Sequence, residues 1–221
     1  MLPLWDATPP RRAPVMTLAL ILANAAVFAY TVELAAEGRA GPFLSEHALV
    51  PRRLLTDWDQ GSQWLTLLTH HFLHGGPAHV LGNCWFLWVF GRNVEDRLGR
   101  FRFLVLYLLS GVAAAVGQLM VAPDSPRLMI GASGAISGVL GAYLILFPAA
   151  WIYTLVPWIV PILPVPAFIF LVLWFVVQAF NGFGALLGGA SGGVAWWAHA
   201  AGFAAGIGLL ALARRTGAVR R

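Results

Sequence analysis

GASGAISGVLGAYLILFP, residues 131–148, is an apolar run that opens on Gly131 and is broken by Pro148. It has the composition of a membrane-spanning helix without the length. The residues from Ser133 to Phe147 rise about 22 Å at 1.5 Å each, some 8 Å short of a hydrocarbon core about 30 Å thick. A helix of that length avoids water only inside a bundle. Its serine end is then expected below the outer membrane surface, with Ser133 at the N-terminal tip of the helix.

The rest of the chain can supply such a bundle. Five further apolar runs lie at about 15–34, 77–94, 101–121, 165–182 and 194–213. Of the 221 residues, 59% are apolar and 10% charged, against about 25% charged in an ordinary soluble domain. No charged stretch is long enough to make a second domain. The expected architecture is an all-α membrane protein, a six-transmembrane-helix bundle over residues 15–213, with a head over 1–14 and a tail over 214–221. The head holds Asp6, Arg11, Arg12 and several prolines, lacks the pattern of a cleavable signal, and reads as a short disordered tail.

All 14 basic residues are arginines, and their placement sets an orientation. With both termini inside, the inner segments carry Arg11, Arg12, Arg92, Arg97, Arg100, Arg102, Arg214, Arg215, Arg220 and Arg221, whereas the outer ones carry only Arg39, Arg52, Arg53 and Arg127. Both termini are therefore expected to be cytoplasmic. The formal charge of +5 reads as this orientation signal, not as nucleic-acid affinity. Small size without extra domains points to a bacterial inner (plasma) membrane. The single cysteine, Cys84, excludes an internal disulfide and sits in an apolar run as a packing residue.

Every Asp and Glu lies outside the six runs or at an edge, which argues against an ion-coupled pump. What lies at membrane depth is Ser, His and Asn. At the tip of the fourth run, backbone N–H groups without helical partners and the positive end of the helix dipole would stabilise an oxyanion formed beside Ser133. The same segment also reads as a packing face, with Gly134 and Gly138 as its small residues and Ser133 as an N-cap. In the sixth run His199 is the only ionisable group, an expensive residue at that depth and by default a functional one; an interhelical hydrogen bond is its other reading. Gly202 and Gly206 recur at four-residue spacing on the His199 face and would let another helix come close. The glycine-rich fourth run is the natural partner, and that contact would bring His199 to Ser133.

The second run opens with Pro77, which suits a first helical turn, so that His79 and Asn83 stand one above the other at i and i+4. Both can donate to an oxyanion. His70, His71, His74 and His79 also suggest a metal, but the glutamate of an H-E-x-x-H helix is absent and no carboxylate is available at that depth. Neither metal nor cofactor is expected.

These residues resemble the rhomboid family of intramembrane serine proteases. Gly131-Ala132-Ser133-Gly134 matches its G-x-S-G, His79 through Asn83 its H-x-x-x-N, and Ala198 through Gly206 its A-H-x-x-G-x-x-x-G. Asn93 to Gly99, with Glu95 and Arg97, also looks like the family. There are departures: Gln63-Trp64-Leu65-Thr66 has no arginine where many members carry Trp-Arg, and Ala149, Ala150 and Trp151 follow Pro148 in place of arginines. The resemblance implies Ser133 as nucleophile and His199 as general base and acid. It also implies an oxyanion held by Asn83, His79 and the Ser133 N–H, with transmembrane proteins in the lipid bilayer as substrates. With no carboxylate to orient His199, the site would be a dyad. A catalytically inactive rhomboid-like escort factor is the alternative, although such proteins usually lack the serine or the histidine. The glycine-rich outer link Asn181 to Gly193, with Phe183, Leu186 and Leu187, is expected to act as a lid over the site.

Overall fold

The computed structural model describes residues 2–156, 160–186 and 195–217. The chain begins with β1 (Leu2–Asp6) and α1 (Val15–Ala36). Three short helices follow, α2 (Ala40–His47), α3 (Pro51–Thr56) and α4 (Gly61–Thr69), and then a 3-10 turn at His70–Phe72. The second apolar run is composite: α5 (Pro77–Phe86), a π-helical turn at Leu87–Gly91, and α6 (Arg92–Leu98). After it come α7 (Arg100–Val121), α8 (Ser133–Leu146), β2 (Trp151–Val156), β3 (Val160–Pro166), α9 (Ala167–Leu186) and α10 (Trp196–Arg215).

Four of these helices are long and apolar enough to cross a membrane unaided, namely α1, α7, α9 and α10. The protein is thus an integral membrane protein of helical fold. The second and fourth runs are the exceptions. Pro77 starts the first of them as a first-turn proline, and Gly99, at φ 81°, makes the corner between α6 and α7 that other residues would strain to adopt. The fourth, α8, is 14 residues and the most buried helix, with nine consecutive buried residues from Ala135 to Tyr143.

What packs α8 so deeply is the absence of side chains where it crosses α10. A methyl group on Gly202 would collide with the Gly134 carbonyl, one on Gly206 with the Gly138 carbonyl, and one on Gly138 with Ser110 of α7. Backbone therefore lies on backbone, as expected for small residues at four-residue spacing in a membrane bundle. Below that crossing the aromatic core closes around Phe90, Phe103, Tyr107 and Tyr143, all fully buried, with Phe90 and Tyr143 edge to face at 5.0 Å.

Within the head, expected to be a disordered tail, Leu2–Asp6 is a strand. β1, β2 and β3 form an antiparallel sheet in that order, with Leu2 opposite Leu155 and Trp151 opposite Pro166. The physical reason is the set of partners waiting for it. Trp5 stacks on Tyr153 at 4.9 Å, the Trp85 indole N–H donates to the Pro3 carbonyl, and the buried Asp6 carboxyl accepts from the Asn93 amide, the Tyr143 hydroxyl and the Thr8 N–H. Pro164 and Pro166 sit on β3, an edge strand that tolerates a missing donor. Beside the sheet, Glu95 accepts from the Met16 and Thr17 N–H groups at 2.8 and 2.7 Å and from the Thr17 hydroxyl at 2.7 Å. It thereby caps the first turn of α1, where unpaired N–H groups and the helix dipole favour a carboxylate. Arg214 reaches the Ile145 carbonyl at 2.9 Å, so both chain ends gather at the end of the bundle opposite Ser133.

At the other end, Leu49 and Met129 pair through two backbone hydrogen bonds of 3.2 and 2.7 Å, and Gly131 N–H donates to the His70 carbonyl at 2.9 Å. These bonds hold the approach to α8 against the segment before α5. The link between the fifth and sixth runs differs from expectation: α9 continues to Leu186, so Asn181 and Phe183 are helical, and Phe183 packs edge-on against Trp197 at 5.0 Å. Residues 187–193 of the expected lid, Leu187 among them, lie outside the described residues.

Candidate active site

Ser133 is the first residue of α8. Its own N–H and those of the next residues have no carbonyl within the helix to bond, and they point toward the end of the bundle away from Arg214. Gly131 just before it takes φ 119°, a conformation open to glycine, and a methyl group there would lie 2.6 Å from His79 Nε2. That glycine lets the turn into α8 press against α5.

The α8–α10 crossing sets the distance that matters. His199 Nε2 lies 2.8 Å from Ser133 Oγ, and His199 Nδ1 lies 2.8 Å from Gln178 Oε1 on α9. An amide oxygen can only accept, so Nδ1 carries the proton and Nε2 is left to accept from the serine hydroxyl. Ser137, one turn on, faces back and donates to the Ser133 carbonyl at 2.6 Å.

Ser133, His199, His79 and Asn83 all line one cavity of about 870 Å³. Asn83 Nδ2 is buried without a hydrogen-bond partner and lies next to Gly131. His79 Nδ1 accepts weakly from the Gly75 N–H at 3.4 Å, which leaves the proton on Nε2, the nitrogen turned toward Gly131. Two donors and a helix N-terminus thus surround the space beside Ser133 Oγ. His74, in the loop ahead of α5, stacks edge-on against His79 at 5.0 Å. Burial, and then the nearby His79, push its pKa down to about 4, so it adds no positive charge to the site at neutral pH. Among the described residues no group of three or more His, Cys, Asp or Glu side chains is arranged to hold a metal.

Two residues of this cavity escaped the sequence reading, which placed only Ser, His and Asn at membrane depth. Gln178 contacts His199, and Gln118 on α7 lines the cavity with its carbonyl oxygen buried and unpartnered. The available signal was the cost of an amide in an otherwise apolar run.

Comparisons with known proteins place the chain in a family. The family model of the Rhomboid domain matches residues 61–216. The chain is 43% identical over 82 residues to Rhomboid protease GluP of Bacillus subtilis, covering 37% of this chain and 16% of that protein. It is 29% identical over 145 residues to Rhomboid protease AarA of Providencia stuartii, covering 59% of this chain and 50% of that one. To RHOMBOID-like protein 5 of Arabidopsis thaliana it is 33% identical over 107 residues, 48% of this chain and 33% of the relative. The matched region therefore spans half or less of each of these relatives.

Proposed function

The chain belongs to the rhomboid family, and on that premise we propose that it is an intramembrane serine endopeptidase, hydrolysing peptide bonds in or near the transmembrane helices of membrane-protein substrates. The observation that carries this reading is the 2.8 Å contact between Ser133 Oγ and His199 Nε2, inside a cavity that also holds unpaired donors. Relatives named as proteases support it.

The chemistry follows from the atoms present. Ser133 Oγ attacks the substrate carbonyl carbon while its proton passes to His199 Nε2. The oxygen that becomes negative is met by Asn83 Nδ2, His79 Nε2–H and the Ser133 N–H, aided by the α8 dipole. Collapse breaks the C–N bond, and His199 returns the proton to the leaving amine. A water then takes the place of the amine, with His199 again as base, and frees Ser133. The cavity opens at the end of the bundle away from both termini, and the distribution of arginines puts those termini in the cytoplasm. Substrates are then cut near their outer ends.

A serine-directed phosphonate applied to the detergent-solubilised protein tests the reading. Label on Ser133, lost in His199→Ala, is the expected result. A folded protein that takes up no label at Ser133, and cleaves no transmembrane substrate in liposomes, would overturn it.

A further inference from the structure

Gln178 has a place in the reaction that neither the motifs nor the family match assigns. It is 7% exposed, on a helix face that is otherwise apolar, and its Oε1 is 2.8 Å from His199 Nδ1. The other groups flanking the imidazole cannot replace it. Trp174 and Trp196 lie at 6.1 and 6.2 Å between ring centroids, and an indole N–H only donates. A neutral histidine carries one proton, and the reaction needs it on Nδ1 so that the Nε2 lone pair faces Ser133. The opposite tautomer would present an N–H to the serine hydroxyl and could not take its proton.

We infer that Gln178 is a positioning residue that fixes this tautomer and the plane of the His199 ring, so that the site works as a Ser133–His199–Gln178 array. The inference rests on the protease reading above. It also gives a reason for an amide in a place where soluble enzymes use a carboxylate. An ionised carboxylate in a membrane bundle is costly, whereas an amide oxygen orients the ring without bringing a buried charge. Orientation and tautomer are retained; added stabilisation of the imidazolium is given up.

Two substitutions separate this role from packing. Gln178→Met keeps length and apolar contact but removes the acceptor. Gln178→Glu keeps the acceptor and adds a charge. The other titratable groups lining the cavity, His70 and His79 from the α5 side and Arg127 at the rim, are the same in both. Measured with a transmembrane substrate in liposomes, Gln178→Met should lower kcat by about 10-fold to 100-fold with KM within about 2-fold, the range expected for loss of base orientation. Gln178→Glu should stay active, and its acid limb in kcat/KM should move up by about one pH unit, because a carboxylate at Nδ1 favours the imidazolium and neutral base then survives only at higher pH. Nitrogen chemical shifts of His199 in the detergent-solubilised protein give a second readout that needs no activity: Nδ1 protonated in the wild type, with mixed tautomers in Gln178→Met. Wild-type kcat in Gln178→Met, an unmoved acid limb in Gln178→Glu, or an Nε2-protonated wild type would each overturn the inference. None of these results resembles failure of the protease reading, which would show as an unlabelled Ser133 in the wild type.

Discussion

The two ends of the bundle treat buried polar groups in opposite ways. At the end that holds β1 the carboxyls are saturated: Asp6 accepts from Thr8, Asn93 and Tyr143, and Glu95 takes three donors from the first turn of α1. At the Ser133 end Asn83 Nδ2 and Gln118 Oε1 are buried and unpaired, around a serine and a histidine that bond each other. Buried polar atoms without partners are rare in native proteins and call for a reason. For Asn83 the proposed function supplies a reason, because the negative charge its amide would meet exists only during the reaction; the Gln118 oxygen, an acceptor, has no such role.

The contrast can be broken in order of effect. The largest loss belongs to Ser133→Ala and His199→Ala, each of which removes a member of one unit: cleavage in liposomes should fall by about 10⁴-fold or more, with thermal unfolding in detergent unchanged within a few degrees. Next is Asn83→Ala, which removes one oxyanion donor and leaves the others; kcat should drop by about 10²-fold to 10³-fold. A rate unchanged within error would make Asn83 a packing residue. Gly206→Ala sets a methyl group against the Gly138 carbonyl and pushes α10 away from α8, lengthening the Ser133–His199 contact without touching either residue. A displacement of about 1 Å is worth about 100-fold in rate, and the strain about 1–3 kcal/mol in stability, so both activity and unfolding temperature should fall together.

The end that holds β1 should answer differently. Asp6→Ala leaves the Asn93 amide and the Tyr143 hydroxyl without their acceptor, and should cost about 1–3 kcal/mol of stability while kcat of the folded protein stays near wild type. A large fall in kcat at unchanged stability would show the two ends to be coupled. Smallest of all is Ser137→Ala, which deletes a hydroxyl bonded to the Ser133 carbonyl one turn below the site and should leave cleavage within about 2-fold.

Much of the Ser133 end was legible because its signals are local. Gly202 and Gly206 share a face by helical spacing, as do His79 and Asn83, and both faces turned inward as the periodicity of 3.6 requires. Length alone placed Ser133 at a helix tip. The misses share a cause too. β1 is short and interrupted by Pro3, and nothing near it announces a strand; its partners are Tyr143, Tyr153 and Leu155, far along the chain. Gln178 is a lone amide without a motif, and its partner lies on the next helix across a link of unreadable geometry. The same link was read as beginning at Asn181, whereas α9 runs on to Leu186 through Gly182 and Gly184, and a methyl group on Gly182 would lie 3.2 Å from the Trp197 ring. Glycine composition suggested a loop; tertiary contact kept a helix.

The pairing of β1 with β2 also dictates an order of events during biogenesis. Asp6 and Tyr143 are 137 positions apart, so β1 leaves the ribosome with nothing to join until α8 has been inserted and residues 151–156 have emerged behind it. At roughly 5–20 residues per second β1 waits for several seconds or longer. Closure of the sheet is thus a late step, one that reports to β1 that the fourth apolar run is in place.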